Sequence, residues 1–545
     1  MRSRAAVLAF VVASARLGFA QDPHSSHQIP VVPAELLHRP VTIRTGIGAA
    51  HDAVSTTSRE AQAFYDQGLA YLHSYVWVEA ARSFNEALRL DSTLAMAHCE
   101  LTIAYTELNA PKDARAALDR AKALASSDHD RRHIDLRSVQ MAAEDAPSDG
   151  GKLAAYRKRL DESLSAFPAD DELWLLRGLA ESPDPADRGQ GGTASSRPFY
   201  EQALTLAPNH FAGHHYLAHA YENTGRLDDA LAQAAAYLKL TPAIPHAHHM
   251  LGHNLRRVGR IGDAIAEFEA ADRLGSEYLK AEKIPVEYEW HYHHNLDLLA
   301  TSYQYVGRVS QAEQLLKRAF AIPSNLVVQE FNKREWPVFL IARGRADEAL
   351  AAATVLVAHP SPLIRATGHV EAGEAMLSTG KFQGAANESN AALAELKKAS
   401  DGGALVATSL AQLQGGFLLR TGQRDKGRAR LEQVMQKVRA ATGPDAWTQG
   451  LFTLEAIARA ARDVGDWEFA ERGARQMLEH DPAYAGTHYA LALAADHRGD
   501  REAARSEFEL ALKYWSRADR DLPELADVRA RLAKTLGAAR PRERS

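Results

Sequence analysis

The sequence predicts an all-α solenoid of about 12 helical hairpins, and three observations lead to this prediction. At eight places a glycine ends an apolar helical segment: Gly225, Gly259, Gly307, Gly344, Gly380, Gly422, Gly465 and Gly499. A small residue follows each glycine by five positions: Ala230, Ala264, Ala312, Ala349, Ala385, Gly427, Ala470 and Ala504. Several units are 34 residues apart, as between Gly225 and Gly259. A chain of 545 residues is too long for one compact core, whereas stacked repeats bury a continuous one.

The N-terminus has the pattern of a cleaved signal peptide over residues 1–20. Two arginines precede an apolar stretch at 5–15, and Gly18 and Ala20 are the small residues expected before a cleavage site. The apolar stretch is too short to span a bilayer. We therefore expect a periplasmic or secreted bacterial protein with no stable membrane insertion after cleavage.

The remaining chain divides into a short leading segment and one long array. Residues 21–54 lack clear periodicity and are interpreted as an N-terminal tether or edge segment. The solenoid is predicted to occupy residues 55–537, followed by a C-terminal tail at 538–545. Within the array, Ser182–Ser196 is interpreted as a loop inserted in the fourth hairpin, and Leu522–Leu536 as a capping helix.

The repeat resembles the tetratricopeptide-repeat (TPR) family over most of the chain. Small residues where two helices cross let the helices approach closely, and the glycine turns the chain between them. The resemblance implies a right-handed superhelix in which the first helix of each hairpin lines a concave groove. If the turn glycine is repeat position 15, the resemblance implies that positions 2, 5, 9 and 12 point into that groove.

Histidines are concentrated in the central repeats, at residues 210–305. Of the 24 histidines in the chain, 11 fall between His210 and His294. The groove positions of the fifth, sixth and seventh hairpins contain seven candidate metal ligands: His215, His219, His246, His249, His253, His294 and Asp297. The same positions of the first, second and eighth hairpins contain no histidine, so the clustering is local.

Two His-x3-His pairs lie one repeat apart, at His215 and His219 and at His249 and His253. A spacing of i, i+4 places two imidazoles on one face of a helix. Neighbouring helices pack about 8–10 Å apart, so imidazoles from adjacent hairpins can converge on one ion. Imidazole and carboxylate donors suit zinc, copper or iron, and a transition metal is the expected cofactor if one is present.

A peptide-binding groove is the alternative interpretation of the same stripe. Its charged and polar neighbours are the remaining groove residues of the three hairpins: Glu222, Arg256, Thr301 and Gln304. Imidazoles can bind a carboxylate or stack on aromatic rings without a metal. A metal site requires the imidazole nitrogens to converge, whereas a peptide groove requires side chains spread along the stripe.

The other histidines are expected to have structural roles. His291 and His293 are interpreted as surface residues, and His129 and His133 as part of a solvated helix start. Four histidines occupy position 4, which packs inside the hairpin in TPR proteins: His98, His214, His248 and His488. An insertion between the sixth and seventh hairpins, within 276–290, is interpreted either as a lid over the cluster or as a longer second helix plus a loop.

The central repeats also resemble a bacterial subgroup of TPR proteins with motifs HYxxHxYD, HAxHMxxH and HxLDxLxYxYxQ. This sequence has HYLAHAYE, HAHHMLGH and HNLDLLATSYQY at the corresponding places. LHSY at Leu72–Tyr75 is similar to the LHSFW phrase of the subgroup's first repeat. The sequence departs from the subgroup at Glu222, where aspartate is usual, at Thr301, where an aromatic residue is common, and at Leu251–Gly252, where Pro-Ser is common. The resemblance supports a functional groove but implies no particular reaction.

Several classes of function are disfavoured. A net charge of −5 argues against non-specific binding of nucleic acid, which needs a basic surface. The sequence contains no P-loop, GxSxG, HExxH or CxxC motif. The single cysteine, Cys99, allows no internal disulfide and is interpreted as a buried small residue.

The leading hypothesis is therefore an exported TPR scaffold that binds a protein or peptide partner and carries a candidate metal site on its central repeats. A metal-dependent enzyme or metal-handling protein is the alternative, and no catalytic residue is assigned. A structural spacer with incidental histidines is a third hypothesis.

Overall fold

The computed structural model describes residues 31–324, 326–399, 403–441 and 446–538. The predicted signal peptide and the residues after Ala538 lie outside this set. Helices follow one another along the chain, and no strand occurs among the described residues. No described helix is both long and apolar enough to cross a bilayer. The all-α fold predicted from the sequence is confirmed.

The N-terminal half consists of the following α-helices: α1 (Ala34–Leu37), α2 (Arg59–His73), α3 (Trp77–Leu90), α4 (Ala95–Glu107), α5 (Pro111–Leu124), α6 (Asp128–Glu144), α7 (Gly150–Ala166), α8 (Asp171–Leu179), α9 (Arg197–Leu206), α10 (Phe211–Asn223), α11 (Leu227–Leu240), α12 (Pro245–Arg257) and α13 (Ile261–Glu282). A short 3-10 helix, Val286–Tyr288, leads into the C-terminal half. That half consists of α14 (Trp290–Tyr305), α15 (Val309–Ala321), α16 (Val327–Asn332), α17 (Glu335–Ala342), α18 (Ala346–Val357), α19 (Pro362–Ser378), α20 (Phe382–Leu396), α21 (Gly403–Arg420), α22 (Arg424–Ala440), α23 (Ala446–Asp463), α24 (Trp467–His480), α25 (Ala485–His497), α26 (Arg501–Tyr514) and α27 (Pro523–Ala538).

Consecutive helices pack as hairpins, and each hairpin packs on the next. All eight turn glycines have φ between 72° and 86°, a left-handed conformation that side chains with a Cβ rarely adopt. The small residues that follow them lie at the helix crossings, where Ala230, Ala264 and Ala312 have no exposed surface. At Gly427 a Cβ would lie 2.7 Å from the backbone nitrogen of Leu419. The repeat signature is therefore explained by turn geometry and close helix packing.

Distant hairpins also contact one another, so the coil closes on itself. His73 and Ser74, which end the first helix of the array, contact His215 and Tyr237 of the fifth hairpin. In the C-terminal half, the hydroxyl of Tyr305 donates to Asp481, which is 176 residues away in sequence. The first hairpin therefore covers the inner face of the central repeats.

The described part of the leading segment packs along the array. Leu36, Leu37 and Ile47 are buried, and the backbone N–H of Ala243 donates to the carbonyl of Gly46 at 2.8 Å. α27 packs on α26 at the other end, where a capping helix was predicted. Both ends of the described array are thus covered by non-repeat segments.

Candidate metal centre

Three adjacent first helices, α10, α12 and α14, bring the predicted histidines together. Small and apolar residues on their other faces pack into the core, with Ala218, Ala247 and Ala300 fully buried. The histidine-bearing faces of the three helices then lie side by side, one repeat apart. This arrangement produces two groups of three imidazoles.

The first triad consists of His215, His219 and His246, each of which offers one ring nitrogen within 4.8 Å of the other two. Nδ1 of His215 donates to the backbone carbonyl of His73 at 2.8 Å, which leaves Nε2 as the lone-pair nitrogen. That Nε2 lies 2.9 Å from Nε2 of His246. The three nitrogens thus lie close together, and this one separation is near the roughly 3.3 Å expected between two ligands of a tetrahedral zinc ion.

The second triad consists of His249, His253 and His294, whose ligand nitrogens also lie within 4.8 Å of one another. Nδ1 of His249 donates to the amide oxygen of Asn295 at 3.0 Å. The amide nitrogen of Asn295 donates to the carbonyl of Phe268 at 3.0 Å, which fixes the orientation of the amide. Asn295 therefore presents an acceptor to His249 and leaves Nε2 of that ring with its lone pair. Such outer partners orient metal-binding histidines in known sites.

Burial favours the neutral, metal-binding form of four of the six triad imidazoles. It lowers the pKa of His219 to about 4 and the pKa values of His215, His246 and His249 well below the ordinary value. Repulsion between neighbouring rings is a further cause of the shifts at His215, His246 and His249. In the part of the chain that the structure describes, Nε2 of His219 and Nδ1 of His246 are buried without a hydrogen-bond partner. Uncharged nitrogen lone pairs are thus concentrated where the side chains meet.

The two triads adjoin each other and form one continuous histidine cluster. The rings of His246 and His249, one from each triad, are 5.6 Å apart between centroids. His291 extends the cluster, with its ring 4.2 Å from that of His246 and stacked on Tyr75 at 5.3 Å. The residues present fit two neighbouring ions, each with three imidazole ligands.

Asp297 does not belong to either triad. Its carboxylate lies 4.0 Å from Nε2 of His293, on the same helix. His291 and His293 are buried, with 7% and 1% of their surface exposed, so the expectation of surface positions was wrong. Both lie near the start of α14, which the extended α13 and the first hairpin cover.

The charged and polar groove residues predicted from the sequence do not form a solvent-exposed surface. Glu222, Arg256 and Thr301 are buried, and only Gln304 is half-buried. A guanidinium nitrogen of Arg256 donates to the hydroxyl of Thr301 at 3.2 Å, and Glu222 lies 3.5 Å from Nδ1 of His253. These residues form a polar network inside the coil, because adjacent first helices pack close enough for their side chains to meet.

Three of the four position-4 histidines, His214, His248 and His488, pack within their own hairpins, as predicted. Nδ1 of His248 lies 2.6 Å from Glu267, and Nε2 lies 3.2 Å from the carbonyl of Pro242. His214 and His488 make the same pair of contacts, with Gln233 and Glu507 in place of Glu267. Each ring thus has a protein partner for both nitrogens.

A third cluster, His73, Glu172 and His210, is not among the residues predicted from the sequence. One carboxylate oxygen of Glu172 lies 3.1 Å from Nε2 of His73 and 3.0 Å from Nε2 of His210. The two histidines hold the pKa of Glu172 well below its usual range despite burial. The cluster joins the first hairpin to the fourth and fifth, and the LHSY phrase that contains His73 was its one sequence signal.

The segment Asp128–His133 differs from the solvated helix start that was expected. His133 is 7% exposed, and its Nε2 lies 3.2 Å from Asp170. Nε2 of His129 lies 2.7 Å from Asp52. Cys99 is buried as predicted, and burial raises the pKa of its thiol well above the usual value.

A cavity of about 470 Å³ lies beside both triads and is lined by His246 and His249. The insertion at 276–290 supplies part of its wall. α13 continues to Glu282, so the insertion forms a longer second helix followed by a loop. Tyr278 on the extension and Glu289 after it line the cavity, and burial raises the pKa of Glu289 to about 8.

Comparisons with known proteins give one family match and several solved structures of low similarity. Residues 199–232, which include α10, match the tetratricopeptide repeat family model, which confirms the predicted type of repeat. No curated protein matches the sequence. Similar solved structures include a human IFIT1 dimer with PPP-AAAA, at 13% identity over 77% of this chain and 90% of that chain, with a TM-score of 0.40. A tetratricopeptide repeat protein from Parabacteroides merdae is 15% identical over 52% of this chain and 99% of its own, with a TM-score of 0.36.

Proposed function

We propose that this chain is an exported TPR scaffold that binds two transition-metal ions, one in each histidine triad of its central repeats. The observation that carries the proposal is the convergence of three imidazole nitrogens within 4.8 Å at each triad. TPR arrays commonly bind proteins or peptides. In this chain, imidazole side chains occupy the inner face of three repeats.

The position-4 histidines provide an internal comparison that favours metal binding. His248 has a carboxylate and a carbonyl for its two nitrogens, which is the arrangement of a structural histidine. His215 instead directs Nε2 at another imidazole nitrogen, 2.9 Å away. Two neutral imidazoles can share one proton across such a contact, but three converging nitrogens cannot all be satisfied in this way. A metal ion bound between them accepts all three lone pairs.

The donor set favours zinc or copper over iron. Both triads consist of imidazoles alone, and imidazole ligands suit zinc and copper. Asp297, the one predicted carboxylate ligand, lies beside His293 rather than in a triad. Export would place the sites in the periplasm or outside the cell.

A peptide in the concave groove, the other function expected from the sequence, is less well supported at these repeats. A bound peptide would have to contact Glu222, Arg256 or Thr301, and all three are buried. Any protein or peptide partner would therefore bind elsewhere on the scaffold.

The proposal is tested by measuring bound metal in the purified mature protein and in histidine variants. The unmodified protein should bind two equivalents of zinc or copper, His215→Ala and His249→Ala one each, and the double variant none. His248→Ala is the matched control, because it removes a neighbouring histidine of the same helix that belongs to neither triad. Absence of bound metal after each ion has been offered, or equal binding by all variants, would overturn the proposal.

A further inference from the structure

The cavity beside the triads has the size and lining of a small-molecule site. Its volume of about 470 Å³ falls within the range of about 300–1,000 Å³ that is typical of ligand pockets. Five parts of the chain enclose it: residues 43–47 of the leading segment, Tyr71 and Val76 of the first hairpin, the second half of α13, and the starts of α12 and α14. A cavity of this size between packed helices has room for a one- or two-ring organic molecule.

The walls are largely apolar and the polar groups are few. Ile43, Ile47 and Ile244 contribute aliphatic surface, while Tyr278 and Tyr292 contribute aromatic rings. The hydroxyl of Tyr278 donates to Glu79, and the hydroxyl of Tyr292 is hydrogen-bonded to Ser276. Because both hydroxyls already have partners, the two tyrosines offer the cavity mainly their apolar rings.

The ionisable residues on the wall contribute little unbalanced charge. Arg44 is paired with Glu282 at 2.8 Å, and burial raises the pKa of Glu289 to about 8, so this carboxyl is largely uncharged near pH 7. The cavity therefore offers no excess charge to a ligand. An uncharged molecule matches this wall better than an ion does.

The cavity is also lined by one histidine of each proposed metal site. Three protein ligands leave a fourth position open on a tetrahedral ion, which is the arrangement of catalytic rather than structural zinc. His246 of the first triad and His249 of the second both line the cavity, and Asn295, which orients His249, lines it beside them. A molecule in the cavity can thus place a donor atom near either ion.

We propose that this cavity binds an uncharged one- or two-ring organic molecule whose nitrogen or oxygen atom completes the coordination of a triad-bound metal. The inference rests on the proposed function, since it requires the ion. The apolar body of the ligand would contact the isoleucine and tyrosine side chains of the wall, and its donor atom would face the histidines.

The test uses the full mature protein loaded with cobalt(II), whose visible spectrum reports changes in coordination. Two probes are compared: imidazole, which has only the ligating nitrogen, and 4-phenylimidazole, which adds an apolar ring. Because burying the ring is favourable, 4-phenylimidazole should bind at least about tenfold more tightly than imidazole. Metal content is measured in the same samples.

A variant at the rim of the cavity tests ligand binding in the cavity independently of metal binding. Ile43 lines the mouth and is 51% exposed, so Ile43→Trp should fill the entrance without disturbing the core. It should remove most of the preference for 4-phenylimidazole and leave the bound cobalt and the imidazole affinity unchanged. Val31→Trp, at an exposed position of the same segment outside the cavity, should behave as the unmodified protein.

The outcomes distinguish the two proposals. If cobalt is bound but both probes bind equally, or if Ile43→Trp keeps the preference, the cavity inference is overturned and the metal sites stand. If no cobalt is bound, the proposed function fails and the inference fails with it. Tight binding of 4-phenylimidazole without a spectral change would show a pocket that does not reach the metal, which also contradicts the inference.

Discussion

At the scale of single residues, the proposed metal sites depend on which nitrogen of each histidine carries the proton. The carbonyl of His73 and the amide oxygen of Asn295 accept from Nδ1 of His215 and His249, respectively. Each acceptor comes from outside the triad that it orients. The protein thereby presents Nε2 lone pairs to the interior without any charged partner.

Replacement of Asn295 should weaken the second site selectively. Asn295→Ala removes the acceptor that fixes His249, and loss of such outer partners typically lowers metal affinity by about 10–100-fold. Asn295→Asp keeps an acceptor for His249 but loses the donor to the carbonyl of Phe268, so its affinity should lie between those of Asn295→Ala and the unmodified protein. Zinc titration of the two variants measures this, and equal affinities would show that Asn295 does not orient the ring.

A second residue-scale prediction concerns Glu371 of α19, which belongs to neither triad. Burial, opposed by Arg334 and aided by the nearby Glu374 and Glu335, raises the pKa of this carboxyl to about 8. The folded protein then holds a proton that the unfolded chain releases above its ordinary pKa of 4.5. Stability from this group is complete below that value and declines as the pH rises towards 8.

Glu371→Gln should therefore stabilise the protein at high pH and not at low pH. We expect the free energy of unfolding at pH 8.5 to rise by at least about 1 kcal/mol, with the difference vanishing near pH 4.5. Denaturant unfolding of both proteins at a series of pH values measures this difference in the free energy of unfolding. A difference that is constant across the series would contradict the linkage.

The sequence was most informative about residues whose position follows from the helical period. Both His-x3-His pairs converge with a histidine of the next helix, as predicted. Asp297 lies beside His293 and outside both triads, because spacing along one helix does not determine which neighbour a side chain meets. His73 and Glu172 were missed because their partners come from distant hairpins, and no local pattern records such contacts.

At the scale of helices and hairpins, glycine controls how closely the histidine-bearing helices approach their partners. Gly252 lies on α12 between the two inner-face histidines His249 and His253, and a Cβ there would lie 2.7 Å from the ring of Phe268 on α13. That ring packs edge-on against His249, 5.7 Å away between centroids. A displacement of the Phe268 ring at the hairpin crossing would therefore also disturb His249 of the second triad.

Gly252→Val should destabilise the protein by about 1–3 kcal/mol, because an overfilled helix contact forces the ring of Phe268 to move. It should also weaken metal binding at the second triad. Gly262→Val is the matched control on the next helix, where the added Cβ meets only the end of the flexible Arg517 side chain. Denaturant unfolding and zinc titration of both variants test this, and equal losses would contradict the packing argument.

Element boundaries were largely predictable because the turn glycines mark them. Every one of the eight glycines adopts the left-handed conformation that ends the first helix of its hairpin. The insertion after the sixth hairpin left two interpretations open, and helix continuation to Glu282 is the one observed. Nothing in the local pattern distinguished them, because the extension is held by contacts with the first hairpin.

At the scale of the whole molecule, the closed coil is the feature that the sequence does not record. Glu282 at the end of α13 bonds to Arg82 at 2.9 Å and to Arg44 at 2.8 Å, across at least 200 residues of chain. Arg82 is 3% exposed and also binds Glu79. Repeat periodicity predicts neighbour contacts, but closure depends on the accumulated rotation of many hairpins.

Glu282→Gln should loosen this closure. The buried Arg82 would lose one of its two carboxylate partners, and we expect a loss of about 1–3 kcal/mol in the free energy of unfolding. Amide hydrogen exchange should accelerate in residues 39–47 and in α2 and α3. Glu277→Gln changes an exposed carboxylate on the same helix and should have little effect; comparable effects of both variants would argue against closure through Glu282.

The most direct test of the central claim is a crystal structure of the zinc-soaked protein with anomalous diffraction measured on both sides of the zinc absorption edge. The proposed function predicts two edge-specific peaks, each about 2.0–2.1 Å from three imidazole nitrogens. One should lie among His215, His219 and His246, and the other among His249, His253 and His294. No peak at either triad, or zinc found only at Glu172 with His73 and His210, would contradict it.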